Sequence, residues 1–160
     1  MTEVTHMFFE QDKECMPREA LEQLQLERLQ ATLSRVARSV PLYRRRFAEH
    51  GVDPDDFRSL EDLQRLPFTT KQDIRDNYPY GLFAVPLRDV VRLHSSSGTT
   101  GKPIVVGYTG NDLNRWSAMV ARILVMGGIC RDDVVQIAFH YGMFTGGFGL
   151  HAGAERLGAS

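Results

Sequence analysis

Residues 90–108 read VVRLHSSSGTTGKPIVVGY, and this stretch decides which fold the chain adopts. Residues 90–94 and 104–108 are rich in valine, isoleucine and leucine, as β-strands commonly are. Eight of the nine residues between them are small, hydroxylated, glycine or proline, and the exception is Lys102. The pattern therefore predicts two strands joined by a polar loop at residues 95–103.

The chemistry of this loop suits a polyphosphate ligand. Its glycines allow backbone N–H groups to approach a bound anion closely. Its five hydroxyls can donate to phosphate oxygens, and Lys102 adds a compact positive charge. A flexible connection between strands would have a similar composition, so composition alone leaves both interpretations open.

The loop is not a Walker A motif. That motif requires glycine where this chain has Ser96, and serine or threonine where it has Pro103. A predicted strand follows the loop, so no helix N-terminus would face the phosphate. We therefore do not expect a classical P-loop NTPase.

The residues after the loop continue an α/β pattern. Thr109 can cap a helix over residues 112–126, which the glycines at 127 and 128 would end. Residues 134–139 are almost continuously apolar, which predicts a third strand covered on both faces. A further helix is expected to end at Leu157. Strands that alternate with helices predict an α/β fold with a mixed or partly parallel sheet.

The residues before the loop predict a helical region interrupted by prolines. Apolar side chains recur at helical spacing from Leu26 to Val40, so an amphipathic helix is expected between Pro17 and Pro41. Shorter helical pieces follow, for which Ser59 and Thr70 are candidate caps. We therefore divide the chain into an α-helical region, 1–87, and an incomplete α/β subdomain, 88–160.

Composition excludes several classes of protein. The chain has 160 residues, with 19 Lys+Arg and 20 Asp+Glu, so its net charge of −1 argues against a strongly basic nucleic-acid-binding protein. It has two cysteines, too few for a disulfide framework. It contains no 18-residue apolar run and no signal-peptide core, so we expect a cytoplasmic protein without a membrane partner.

A second candidate site follows the third predicted strand. Ligands of open α/β sheets bind at the carboxyl ends of strands, where this chain has alternating aromatic residues and glycines. Tyr141, Phe144 and Phe148 can form apolar walls, while Gly146 and Gly147 leave space for a ring. Packing of these aromatic residues in the core is the alternative. The histidines at 94, 140 and 151 do not have the spacing of a compact metal site, and we predict no metal ligand.

Residues 96–103, SSGTTGKP, resemble the phosphate-binding loop of the adenylate-forming (acyl-CoA synthetase) superfamily. Other stretches are similar to its phenylacetate–CoA ligase branch, and together the matches run from about residue 8 to the end. These stretches are MPRE at 16–19, VPLYR at 40–44, LPFTTK at 66–71, YPYGLF at 78–83, YGMFTGG at 141–147 and GAERLGA at 153–159. The resemblance implies the fold of the large N-terminal domain of adenylate-forming enzymes.

The resemblance also implies where ligands bind. In such enzymes the loop closes over the β- and γ-phosphates of ATP, and Thr99 and Lys102 are then the expected catalytic residues. The positions that would hold the ATP phosphates are Ser95, Ser96, Ser97, Gly98, Thr99, Thr100, Gly101 and Lys102. The aryl acid is expected to lie against Tyr141, Phe144, Gly146 and Gly147.

The reaction implied by the resemblance has two half-reactions. A carboxylate, expected to be phenylacetate, attacks the α-phosphorus of ATP to give an acyl-adenylate and pyrophosphate. The thiol of coenzyme A then displaces AMP. Mg²⁺ accompanies ATP, and a homodimer is the assembly that the resemblance implies.

The same resemblance implies that the chain is an N-terminal part that is inactive alone. The adenine and ribose motifs, the acidic residue near Mg²⁺, the hinge and a catalytic lysine lie beyond Ser160 in such proteins. Two alternatives stay open. One is a related ligase for another aromatic acid, and the other is a non-catalytic nucleotide-binding module.

Overall fold

The structure is a computed structural model that describes residues 8–96, 103–141 and 145–160. Its helices are α1 (Gln11–Glu14), α2 (Arg18–Ser39), α3 (Pro41–Glu49), α4 (Lys71–Asp76), α5 (Gly110–Met126) and α6 (Thr145–Leu157). Its strands are β1 (Val90–Ser95) and β2 (Val105–Thr109), and short 3₁₀ turns cover Pro54–Asp56, Leu60–Arg65 and Leu87–Asp89. The fold is mixed α/β, as the sequence predicts.

The chain divides into two compact units. A helical unit comprises residues 17–89 and 103–105 of the described chain. An α/β unit comprises residues 8–16, 90–96, 106–141 and 145–160. Residues 8–16 thus group with the α/β unit, whereas the sequence pattern placed them in the helical region; the domain limits 1–87 and 88–160 stay a prediction.

The core of the helical unit forms around Phe57, which is fully buried. Leu33 of α2, Phe47 of α3 and Val52 pack in the same cluster. Gln30 of α2 donates from Nε2 to the carbonyl oxygen of Phe57, 2.7 Å away. The predicted apolar stripe of α2 is therefore the face that this core covers.

A carboxylate at the start of α4 ties two helices of this unit together. Asp73 accepts hydrogen bonds from the backbone N–H and the hydroxyl of Thr70, both at 2.7 Å, and so completes a capping box. It also pairs with the guanidinium of Arg46 on α3. Arg46 in turn donates to the carbonyl oxygen of Phe68 at 2.7 Å. The Arg46 hydrogen bond, with those from Thr70, lowers the pKa of Asp73 from 3.8 to about 2.

This carboxylate gives the first testable prediction, which concerns the pH dependence of stability. Since the folded pKa of Asp73 is depressed, its stabilisation is present above pH 3.8 and is lost as the pH falls towards about 2. We expect Asp73→Asn to lower the melting temperature at neutral pH, with the difference from wild type disappearing near pH 2. Thermal unfolding followed by circular dichroism across this range measures the effect.

Asp76→Asn is the matched control, because Asp76 lies on the same helix and accepts a hydrogen bond from the exposed Gln72 amide one turn earlier. A constant difference between Asp73→Asn and wild type from pH 7 to pH 2 would contradict the prediction.

In the α/β unit, local sequence determines both ends of α5. Thr109 and Asp112 form a reciprocal capping box, in which Thr109 N–H donates to Asp112 Oδ2 at 2.9 Å and Asp112 N–H donates to Thr109 Oγ1 at 3.2 Å. At the other end, Gly128 has a φ of 88°, a conformation that glycine adopts without steric cost. The predicted cap and end of this helix are therefore confirmed.

α6 packs against α5 through two glycines. A Cβ at Gly149 would lie 2.6 Å from Trp116 Cζ2, and a Cβ at Gly153 would lie 2.7 Å from Val120 Cβ. Real side chains do not approach so closely, so only glycine allows this separation of the helices. Both glycines are buried.

The third strand predicted at residues 134–139 is wrong. The described sheet has two strands, β1 and β2, and residues 134–139 lie outside it. Val134 and Phe139 are 86% and 55% exposed. The N–H of Val135 donates to the carbonyl oxygen of Ser160 at 2.7 Å. An apolar run becomes a strand only where another strand supplies hydrogen bonds along its length, and in the described chain this segment is not paired with one.

The helix contact gives the second prediction. Gly153→Ala places a methyl group against Val120, so we expect it to lower the free energy of unfolding by about 1–3 kcal/mol, as overpacking typically does. Gly110→Ala is the control, because a Cβ there would meet nothing within 4 Å. We expect this control to leave stability unchanged or raise it by up to about 1 kcal/mol. Equal melting temperatures for the two variants would contradict the assigned packing.

Candidate functional site

The predicted phosphate loop lies between two strands, as expected. β1 ends at Ser95, and β2 begins at Val105. The hydroxyl of Ser95 donates to the carbonyl oxygen of Ser96 at 3.0 Å. The other predicted loop residues, Ser97, Gly98, Thr99, Thr100, Gly101 and Lys102, lie outside the described residues. Their assignment to ATP phosphates stays a prediction.

The second predicted site lies at the start of α6. Tyr141 is 44% exposed, and its ring meets Phe148 edge to face with centroids 5.3 Å apart. Its hydroxyl lies 3.3 Å from His151 Nδ1, and His151 Nε2 lies 3.4 Å from Glu155 Oε1. Tyr141 is therefore held by a ring contact and by a short polar chain along α6.

The two predicted glycines of this site lie in the first turn of α6. Gly147 is buried, and a Cβ there would lie 3.5 Å from both the carbonyl oxygen of His140 and Cβ of Phe139. That is ordinary van der Waals contact, so Gly147 faces the segment that leads to Tyr141. Gly146 precedes it in the same turn, whereas Phe144 lies outside the described residues. The structure thus brings Tyr141, Gly146 and Gly147 together at one end of one helix.

A buried histidine lies behind this helix end. His94 of β1 is 3% exposed, and its Nδ1 lies 3.0 Å from Oγ1 of Thr145, the first residue of α6. Three rings meet its imidazole edge to face, those of Tyr108, Trp116 and Phe148, with centroids 4.9, 5.5 and 6.1 Å away. Burial lowers the pKa of His94, and the charge of Arg92 lowers it further, so the imidazole is neutral near pH 7.

Sequence reasoning did not find this contact. It considered a metal or an acid–base role for His94, set the metal site aside on spacing and expected a hydrogen-bonded or exposed histidine without naming a partner. The available signal was the alternation of covered and exposed side chains along β1, which places His94 on the covered face. A polar residue there needs a hydrogen-bond partner. The strand pattern cannot identify Thr145 as that partner, since the two residues lie 51 positions apart.

The described part of the α/β unit contains cavities beside α5 and α6. One of about 350 Å³ is lined by Arg92, Leu113, Asn114, Trp116, Ser117, Ala152, Glu155 and Arg156. Another of about 200 Å³ is lined by Phe8, Phe9, Val125, Ile129, Cys130, Arg131 and Leu157. None of the predicted site residues that the structure describes lines either cavity.

Residues 8–96, 103–141 and 145–160 form neither a metal-binding cluster nor a membrane-spanning helix. Within these ranges, no group of three His, Cys, Asp or Glu side chains is arranged to hold a metal ion. In the same ranges, every helix is too short or too polar to cross a membrane.

Curated proteins include several similar to this chain, although no family model matches it. A phenylacetate–coenzyme A ligase of Pseudomonas putida is 59% identical over 142 residues, which are 89% of this chain and 32% of that protein. The enzyme of the same name from Escherichia coli K12 is 57% identical over 140 residues, 88% of this chain and 32% of that protein. That of Thermus thermophilus is 55% identical over 152 residues, 95% of this chain and 34% of that protein. The chain therefore spans about a third of the length of the curated relatives it matches.

Solved structures agree with these relatives. 2-Hydroxyisobutyryl-CoA ligase in an open conformation, in complex with 2-HIB-AMP and CoA, has a TM-score of 0.87 and 30% identity, covering 99% of this chain and 38% of that one. The same ligase in its thioesterification state has a TM-score of 0.88 and 32% identity, covering 99% and 35%. The resemblance expected from the sequence is confirmed. Over nearly its whole length, the chain is homologous to phenylacetate–coenzyme A ligases, of which it matches about one third of the length, and it has the fold of the corresponding part of the adenylate-forming CoA ligases.

Proposed function

We propose that this chain is part of an ATP-dependent ligase that joins an aryl acid, phenylacetate in particular, to coenzyme A. The observation that carries the proposal is the identity of 54–59% to phenylacetate–coenzyme A ligases over 88–95% of the chain. The polar loop between β1 and β2 supports it, because its residue types suit the phosphates of ATP.

The loop's proposed part in the reaction is electrostatic. An oxygen of the acid attacks the α-phosphorus of ATP, and the bond to the β-phosphate oxygen breaks, releasing pyrophosphate. Negative charge then accumulates on the departing phosphates. Lys102 and the hydroxyl of Thr99 would neutralise and orient this charge, with Ser95–Ser97, Thr100 and the loop glycines as further donors. The thiol sulfur of coenzyme A subsequently bonds to the acyl carbon, and AMP leaves.

The acid would bind at the start of α6. We assign the aromatic ring of the acid to Tyr141, Phe144, Gly146 and Gly147; Tyr141 and the two glycines are the described members of this set. The Tyr141 contacts with Phe148 and His151 support the assignment, because they hold this ring in one orientation without covering it. A pre-oriented aromatic surface favours a flat, apolar group.

Mg²⁺ is the cation that we propose to accompany ATP. Magnesium commonly binds through substrate phosphates and one or two carboxylates rather than through a cage of protein ligands. The sequence supports this mode, because the polar loop contains five hydroxyls that could lie beside the phosphates. We also propose a homodimer in the cytoplasm.

A related ligase for a different acid is the second candidate. The structural neighbours carry the name 2-hydroxyisobutyryl-CoA ligase, and they share the fold at 30–32% identity. The lower identity makes this candidate the weaker one. A non-catalytic nucleotide-binding module is the alternative from another class.

The third prediction concerns the loop. In the complete polypeptide that contains this chain, we expect Lys102→Ala combined with Thr99→Ala to reduce phenylacetate-dependent AMP formation by about 100-fold or more, because two donors to the phosphates are lost. Lys71→Ala is the control, since Lys71 is an exposed lysine at the start of α4. The rate of AMP formation by the double variant and by the control is measured by chromatography. An unchanged rate in the double variant would overturn the role given to the loop.

The fourth prediction concerns the acid. We expect AMP release to be fastest with phenylacetate among phenylacetate, benzoate, an aminobenzoate and 2-hydroxyisobutyrate. The relatives at 54–59% identity are phenylacetate ligases, and aromatic side chains at the proposed site disfavour the non-aromatic acid. A preference for another acid would select the second candidate. ATP binding without turnover of any acid would instead favour the nucleotide-binding module.

A further inference from the structure

The hydrogen bond between His94 and Thr145 connects the sheet to the proposed acid-binding segment. His94 lies on β1, directly before the polar loop, and Thr145 is the first residue of α6. Their side chains meet at 3.0 Å across 51 positions of sequence. Gly146 and Gly147 follow Thr145, and Tyr141 precedes it by four residues. The bond is therefore at the point where the proposed acid-binding segment becomes a helix.

The surroundings of His94 leave it one polar partner in the described part of the chain. Its Nε2 is buried and has no hydrogen-bond partner there. The rings of Tyr108, Trp116 and Phe148 enclose the imidazole edge to face. A neutral imidazole has one donor and one acceptor nitrogen. The Thr145 hydroxyl can donate to an unprotonated Nδ1 or accept from a protonated one, so the hydrogen bond forms in either tautomer.

The first turn of α6 needs such an anchor because of its composition. Glycine loses more conformational freedom on folding than any other residue, and two consecutive glycines follow Thr145. The buried imidazole cannot move without disturbing three packed rings, so it offers Thr145 a rigid partner. Thr145 itself is exposed, so the residue links a rigid interior to the surface where the acid would bind.

We propose that His94 is a positioning residue for acid binding at the start of α6. It acts through the Thr145 hydroxyl to orient the first turn of that helix. The inference rests on the proposed function, because it assumes that the acid binds against Tyr141, Gly146 and Gly147. His94 is buried away from solvent and takes no part in bond making. Its effect is therefore expected in recognition of the acid and not in recognition of ATP.

Paired substitutions at Thr145 test this in the complete polypeptide. Thr145→Val keeps the shape of the side chain and removes the hydroxyl, whereas Thr145→Ser keeps the hydroxyl. We expect Thr145→Val to raise KM for phenylacetate about three- to tenfold, the effect of losing one neutral hydrogen bond, with KM for ATP unchanged. Thr145→Ser should stay close to wild type. Steady-state AMP formation at varied acid and at varied ATP gives both constants.

Substitutions at His94 supply the second half of the test. His94→Leu has a similar volume without the nitrogen atoms, and we expect it to match Thr145→Val. In His94→Asn, Oδ1 lies as many bonds from the backbone as Nδ1 does, so this variant should recover part of the loss. If both residues act through one bond, the double variant His94→Leu/Thr145→Val should be no worse than the more severe single variant. Ser117→Ala is a structural control, since Ser117 is also buried but bonds within α5.

The outcomes separate the two proposals. An unchanged KM for phenylacetate in Thr145→Val, an equal rise in KM for ATP, or a double variant equal to the product of the singles would overturn the role of His94 while leaving the ligase function intact. If His94→Leu does not fold, the comparison of Thr145→Val with Thr145→Ser tests the role of the hydrogen bond by itself. A wild-type protein that forms no AMP with any acid would overturn the proposed function and, with it, the inference.

Discussion

The close approach of α6 to α5 is the constraint on which the α/β unit depends. Gly149 and Gly153 have no side chains, so the face of α6 that they occupy can lie against Trp116 and Val120. Trp116 then stacks on Tyr108 of β2, with an interplanar angle of 14°, and meets His94 of β1. Gly149 and Gly153 therefore allow α6 to pack closely on α5, whose Trp116 contacts residues of both strands that flank the polar loop.

The aromatic cluster transmits this constraint to the proposed site. His94, enclosed by Tyr108, Trp116 and Phe148, holds Thr145, while Phe148 also holds Tyr141. Arg92 on the same strand places its guanidinium 5.1 Å from the centre of the Phe148 ring, a favourable cation–π contact. Tyr141 and Thr145 are thus each held by the interior of one unit, and such rigid support is what precise ligand positioning requires.

Interactions between elements of the helical unit are of a different kind. Its apolar core is small and forms around Phe57, and polar contacts supplement it between the helices. Asp73 combines a helix cap with an ion pair to Arg46, so one carboxylate both starts α4 and joins it to α3. Because the Arg46 and Thr70 hydrogen bonds favour its charged form, this link strengthens as the pH rises above the folded pKa of Asp73.

The segments that the sequence predicted well are those whose signals are local. The cap at Thr109 and the glycine end of α5 depend on residues within a few positions of each other, and both are confirmed. Residues 134–139 failed because an apolar run contains no information about whether a neighbouring strand is present. The assignment of the site residues stays a prediction: the resemblance pointed to Tyr141, Gly146 and Gly147, but it did not reveal which contacts hold Tyr141 and the start of α6.

The amino-acid sequence alone indicated the family to which this chain is related, the cap and the glycine end of α5, and the polar residues between β1 and β2, because each depends on residue types at short spacing. Only the tertiary structure decided that His94 meets Thr145, that Gly153 meets Val120 and that Asp73 meets Arg46. These contacts join residues 27 to 51 positions apart or lie between separate helices. Such pairs form only after the helices and strands have packed, so residue types at short spacing do not identify them.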